Sequence, residues 1–207
     1  MAMLSFSPVT SWHKSEKYPQ ISPRAFVHPT AVLIGDIRVA DDVVIYPGVV
    51  LRADEGSPII IGRGTNVQDG VIMHCLKDSS IVIGENCSIA HGAVIHGPCQ
   101  LGDNCFVGFN AVLLKATLGS GCFVSHCALV TGVEIGNDRL VGPAQVVDSA
   151  EKASNLPPTA ESQVHFAQEV LQVNEELRQG YQAMAQLEGK WDLSNLPAPS
   201  SEEDPVG

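Results

Sequence analysis

A left-handed parallel β-helix is the fold this sequence predicts, and three observations carry it. From Leu33 onward an aliphatic residue returns at every sixth position: Val39, Ile45 and Leu51, then Ile61, Val67 and Met73, then Ile83, Ile89, Ile95, Leu101, Val107 and Leu113. After two one-residue deletions the series continues through Leu118, Val124, Val130, Ile135, Val141 and Val147. The residue two places earlier forms a second, small register, read at Ala31, Val43, Val49, Thr65, Val71, Cys87, Ala93, Cys99, Cys105, Ala111, Cys122 and Ala128. Glycine follows the aliphatic residue at Gly62, Gly84, Gly102, Gly108, Gly119 and Gly136, and one place late at Gly35, where a corner is expected to need positive φ. A period of six matches neither helical periodicity nor strand alternation, but it matches three short strands per triangular coil of eighteen residues.

The remaining elements follow in chain order. Residues 1–30 read as an N-terminal extension and 31–150 as the β-helix, which is expected to end where Arg139 and Gln145 fall on the small inward register. Residues 151–192 supply a linker and a C-terminal helix. Leu156 to Pro158 break the chain, and the helix is predicted over Thr159 to Leu187, capped by Thr159 or Ser162. Its apolar side carries Val164, Val170, Leu171, Val173, Leu177, Tyr181 and Met184, a face expected to lie against the β-helix or across a subunit boundary. Residues 193–207, rich in Pro, Ser and acid, read as a flexible tail.

Composition bounds the function. The 207 residues suit one main domain, and aromatic residues at 5% favour thin stacked layers over a core built on large rings. A formal charge of −11 leaves no basic surface for phosphates, so nucleic acid is not an expected partner. No apolar run approaches the roughly 20 residues that span a bilayer, and the N-terminus is polar, so a cytoplasmic protein without a membrane partner is expected. Cys87, Cys99, Cys105 and Cys122 occupy the small inward register and read as buried spacers.

Two insertions of four residues, between Leu51 and Ile61 and between Met73 and Ile83, stack residues 22 apart in sequence. Arg52, His74 and His96 then form one column, and Asp69 lies under His91 in another. Adjacent strands lie about 4.8 Å apart, so His74 and His96 can direct two imidazoles at one metal about 2.1 Å away. His91 is displaced from His96 by five residues of strand, on the order of 15 Å, too far to share that metal within a subunit. A threefold assembly can supply His91 from a neighbour and set Arg52 against the neighbour's Asp69. His13, His28, His126 and His165 read as surface or structural groups.

At these residues the sequence resembles the γ-class carbonic anhydrases. The resemblance rests on Arg52-Ala53-Asp54-Glu55-Gly56, Asn66-Val67-Gln68-Asp69-Gly70, His74, and Ala90-His91-Gly92-Ala93-Val94-Ile95-His96-Gly97-Pro98. The helix from Val164 to Glu175 is more particularly similar to the N-terminal domain of the carboxysome assembly protein CcmM. The resemblance implies a homotrimer of left-handed β-helices with metal sites between subunits, holding zinc, or else iron or cobalt. It implies His74, His91 and His96 as ligands, Gln68 beside the solvent on the metal, Glu55 in proton handling, and Arg52 with Asp69 as the subunit-bridging pair. It further implies that Asn174 contacts bicarbonate and that Asn66 belongs to the Gln68 motif. Reversible hydration of carbon dioxide to bicarbonate, in the cytoplasm or inside carboxysomes with other carboxysome components as partners, is the function implied. The segment after His74 is a departure: Cys75-Leu76-Lys77-Asp78 stands where archaeal members carry a longer acidic loop with a proton-shuttling glutamate. A hexapeptide-repeat acyltransferase and a carboxysome scaffold with vestigial or regulated catalysis are the rival readings.

Overall fold

The computed structural model describes residues 2–186. The expected tail at 193–207, like everything after Gln186, lies outside the described residues. The chain winds as a parallel β-solenoid of one eight-stranded and two seven-stranded sheets, with a C-terminal helix along one face. The first sheet stacks Met3–Ser5, Val32–Gly35, Val50–Ala53, Ile72–His74, Val94–His96, Val112–Leu114, Leu129–Thr131 and Val146–Val147. The second runs from Gln20–Ile21 to Glu134–Ile135, and the third from Phe26–Val27 to Leu140–Val141.

The six-residue period explains the core directly. Leu33, Leu51, Met73, Ile95, Leu113, Val130 and Val147 pair in register up the first sheet, and every one of them is fully buried. The small register is also buried, from Ala31 to Ala128, because three inward rows meet there. Adding methylenes in so close a packing typically costs about 1–3 kcal/mol. The cysteines at 87, 99, 105 and 122 are buried as expected.

Three expectations need correction. Residues 1–30 are not an extension: Met3–Ser5 pairs with Val32–Ile34, Gln20–Ile21 with Arg38–Val39, and Phe26–Val27 with Val44–Ile45. They form the first coil because Ile21 and Val27 already keep the six-residue step to Leu33, although residues 6–19 interrupt the pattern before it. The glycines expected at positive φ are, apart from Gly35, not the left-handed ones. Gly62, Gly84, Gly102 and Gly119 are places where coils touch; a Cβ on Gly62 would stand 2.4 Å from the Gly84 carbonyl oxygen. Left-handed backbone falls elsewhere, including a corner column of Gly48, Gly70, Gly92, Asn110 and Cys127.

The third correction concerns the helix. After the last coil a short helix α1, Ala150–Ser154, is capped by Ser149 and tucks Ala153, with Leu156, over the core. The long helix α2 spans Glu161–Gln186. Neither Thr159 nor Ser162 caps it: the Thr159 hydroxyl donates to the Gly121 carbonyl, and the Gln163 side chain reaches back to accept from the Ala160 N–H at 3.0 Å. This is the returning half of a capping box.

Helix α2 lies along the outward column of the third sheet, where Phe26, Val44, Asn66, Ser88, Phe106, Phe123 and Leu140 are in register. Ala167 and Val170 pack on Ala90, Phe106 and Phe123, and Tyr181 stacks on Phe26 at 5.0 Å. Between these apolar contacts the helix buries Asn174 and Arg178, while Val164, Val173, Leu177 and Met184 from the predicted apolar side are exposed. The helix therefore leaves much of that apolar stripe off its own solenoid.

Arg178 anchors the far half of α2. It donates to Glu175 through Nε and Nη2, to the Arg24 carbonyl at 2.9 Å, and lies 3.5 Å from Asp42. The Arg178 guanidinium holds the Glu175 carboxyl below the ordinary glutamate range. A depressed folded-state value stabilises docking above the unfolded value, near about 4.3, and that contribution is lost as pH falls through the folded value. Amide protection factors in the Asn174–Gln182 stretch, corrected for the intrinsic pH dependence of exchange, should therefore fall in the wild type below about pH 4. Glu175→Gln should show faster exchange at neutral pH and a smaller acid increment; equal increments in the two proteins would assign the acid response to other groups.

Candidate metal centre

The site is built first by the two insertions. Residues 54–58 and 75–80 leave the first sheet at the same corner, and they touch: a Cβ on Gly56 would stand 1.9 Å from the Leu76 carbonyl oxygen. Immediately before them, Arg52, His74 and His96 pair in register as one column. His74 Nδ1 and His96 Nε2 are 3.2 Å apart, with the rings edge to face. Two nitrogens held about 2.1 Å from one tetrahedral ion stand about 3.4 Å apart, so the pair fits a metal. His96 Nδ1 is buried without a hydrogen-bond partner among the described residues.

The surroundings suit neutral imidazoles. Burial, with Arg52 adding to it, pushes His74 below the ordinary histidine range, which favours the ligating form. Its Nε2 lies 3.4 Å from Asp54 and 3.6 Å from Glu55, the type of carboxylate backing that orients metal-bound histidines. Arg52 Nη2 lies 3.1 Å from the same Nε2, and Arg52 Nε pairs with Asp54 at 3.3 Å. Glu55 is itself held, because its Oε1 accepts from the Lys77 N–H at 3.1 Å. Cys75 faces inward and burial pushes its thiol up to about 12, which leaves it a spacer rather than a ligand.

His91 stands apart. It lies in the turn that follows the Ser88–Ile89 strand of the third sheet and pairs through Nδ1 with Asp69 at 2.9 Å, leaving Nε2 open. A cavity of about 460 Å³ opens beside it, lined by Tyr46, Gln68, Asp69, Phe109, Val173 and Asn174 among others. Gln68 Nε2 donates to Asn66 Oδ1 at 2.9 Å, and Asn66 donates to Ser88 Oγ at 2.8 Å, so the Gln68 amide is oriented by a buried chain of hydrogen bonds. Asn174 is buried on α2 and donates to the Val170 carbonyl. None of Arg52, Glu55, His74 or His96 lines this cavity. Among the described residues no group of three His, Cys, Asp or Glu side chains could hold a metal ion, and no ion pair joins Arg52 to Asp69. The predicted residues thus fall into two separate groups on one chain.

A carbonic anhydrase from Methanosarcina thermophila is 32% identical over 196 residues, spanning 84% of this chain and 79% of that protein. The chain belongs to the γ-class carbonic anhydrases. This γ-class member is also 38% identical to the carboxysome assembly protein CcmM of Nostoc over 185 residues, 84% of the chain but 33% of that protein. It spans about a third of the length of that CcmM and 25% of the one from Synechocystis. Residues 80–115 match the bacterial transferase hexapeptide (six repeats) family. Among solved structures, a putative acetyltransferase from Bacillus cereus superposes with a TM-score of 0.72 at 22% identity, covering 87% of this chain and 98% of that one. A likeness at that identity concerns the fold alone.

Some neighbours of the two groups carried no role in the sequence reading. Asp54 touches both His74 and Arg52, whereas the sequence pattern assigns roles in that motif only to Arg52 and Glu55. Trp12 lies over the Lys77 ammonium at 5.6 Å, bringing the long 6–19 loop to the Glu55 corner from far away in sequence. Tyr46, whose hydroxyl is buried without a hydrogen-bond partner among the described residues, lies one coil below Gln68. The offset of 22 that relates Tyr46 to Gln68 was the available signal.

Proposed function

We propose that this γ-class carbonic anhydrase is a zinc-dependent enzyme that interconverts carbon dioxide and bicarbonate, acting as a homotrimer of left-handed β-helices. The observation that carries the reading is the separation of the convergent His74–His96 pair from His91, which gives each half-site a use only when a second copy joins them. The exposed apolar residues Phe109, Val173 and Leu177 beside His91 suit burial against that copy.

Zinc held by His74, His96 and a neighbour's His91 would supply a Lewis acid that lowers the pKa of water to about 7; iron or cobalt would suit the same ligands. The chain's own residues supply the rest. Gln68, fixed through Asn66 and Ser88, orients the reacting water from one side. Glu55, fixed by the Lys77 N–H, takes its proton. Phe109, Val173 and Leu177 offer an apolar wall to an uncharged substrate, and Asn174 is placed at the same cavity to meet bicarbonate. Arg52 and Asp69, free of each other within the chain, would pair across the subunit boundary.

The test is carbon dioxide hydration with metal analysis on the same sample. Wild type should carry zinc and hydrate carbon dioxide, and His96→Ala should lose both. A protein that is trimeric and metal-loaded yet inactive would favour the second reading, a carboxysome scaffold, which the CcmM relatives support together with a carboxysomal location. Acetyl transfer from acetyl-coenzyme A without metal would replace both readings with the acyltransferase.

A further inference from the structure

The corner carrying His91 is a stacked column. Main-chain N–H groups of Gly92, Asn110 and Cys127 donate to the carbonyls of Asp69, His91 and Phe109, so Asp69, His91, Phe109 and His126 rise one above another. The His91 and Phe109 ring centroids are 5.3 Å apart, tilted by 39°. Phe109 in turn lies on His126 at 4.3 Å and 18°, a stacked pair. His126 Nδ1 accepts the N–H of Phe109 at 3.0 Å, so the main chain at Phe109 sets the orientation of the ring that supports the Phe109 side chain.

His91 needs such support. His74 and His96 are largely enclosed and face each other, but the His91 side chain is 54% exposed and has, among the described residues, one polar partner, Asp69. One hydrogen bond to Nδ1 leaves the ring free to swing about that contact. Phe109 closes the side toward the next coil, and His126 keeps Phe109 from turning away.

We propose that Phe109 and His126 are positioning residues that hold the His91 imidazole ready for a metal, an inference that rests on the metal-centre reading above. His126 therefore has a defined task at the site without touching the metal. Removing groups that orient a ligating histidine typically weakens metal binding about 10–100-fold.

The experiment uses the full chain with Phe109→Ala, Phe109→Tyr, His126→Ala and His126→Phe. In metal-free protein, NMR signals of the His91 ring should carry the ring-current shift of Phe109. They should move toward free-histidine positions in both alanine variants, and stay in place in Phe109→Tyr and His126→Phe. The zinc dissociation constant, measured by chelator competition on sedimentation-checked trimers, should rise about 10–100-fold in the alanine variants and remain close to wild type in the ring-keeping ones. Unchanged His91 signals in Phe109→Ala would overturn the inference, as would equal losses in the alanine and ring-keeping variants, which would point to general packing of the corner. Wild type that binds no zinc would sink the metal-centre reading, while the metal-free NMR comparison would still decide whether the stack orients His91.

Discussion

Mixing His74→Ala chains with His91→Ala chains should regenerate metal sites that neither variant holds alone. If each site takes His74 and His96 from one subunit and His91 from the next, a boundary is intact when the first subunit is the His91→Ala chain and the second the His74→Ala chain. Random exchange into closed threefold rings leaves about a quarter of the boundaries in that state. Zinc content and hydration activity should return to about that fraction after the chains are unfolded and refolded together. A site contained within one chain gives zero recovery under the same treatment. The distinction is large because no partial ligand set competes: His74 and His96 alone leave a two-nitrogen site, and three protein ligands plus an open position is the pattern of catalytic zinc. Hybrid trimers confirmed by mass spectrometry but lacking zinc would sink the shared site.

Proton export should limit turnover. Glu55 lies 3.6 Å from His74 and is oriented by the Lys77 N–H, so it is placed to receive a proton at the proposed metal centre, but the loop beyond it offers Asp78 as its only carboxylate, exposed and at a left-handed corner. A positioned general base contributes about 10²–10⁴-fold, so Glu55→Gln should lower kcat by an amount in that range at low buffer. Imidazole buffer should raise wild-type kcat and leave kcat/KM for carbon dioxide nearly unchanged, because the buffer acts after the carbon–oxygen bond has formed. Lys77→Glu should raise kcat most where buffer is scarce. That substitution keeps the main-chain bond to Glu55, since the donor is the N–H, and gives up the contact with Trp12, worth about 0.5–1 kcal/mol at an exposed site. Stopped-flow rates independent of buffer and unaffected by Lys77→Glu would show that Asp78 or another group already carries the proton.

The sequence by itself determined the coil. A six-residue aliphatic period has one economical geometry, and the two four-residue insertions set the offset of 22 that pairs Arg52 with His74, His74 with His96 and Asp69 with His91. Strand pairing in a solenoid is local in register, so counting residues suffices. Counting failed where chain of irregular length intervened. The 6–19 loop hid the first coil even though Ile21 and Val27 kept the period, and Gly62, Gly84, Gly102 and Gly119 answer to contact between coils rather than to corner dihedrals.

What only the tertiary structure decided lies on the outside of the coil. An outward side chain meets whatever the chain later lays over it, and a period that encodes the inward face carries no information about that. Helix α2 buries Asn174 and Arg178 and leaves Val173 and Leu177 exposed, because its neighbours are the mixed apolar and polar column from Phe26 to Leu140 rather than a uniform apolar surface. Trp12 reaches Lys77, and His126 supports Phe109 beside His91, by contacts between side chains whose directions depend on corner geometry. The histidine columns were legible because stacking is additive along the chain; the side chains packed around them were not, because they are chosen by proximity in space.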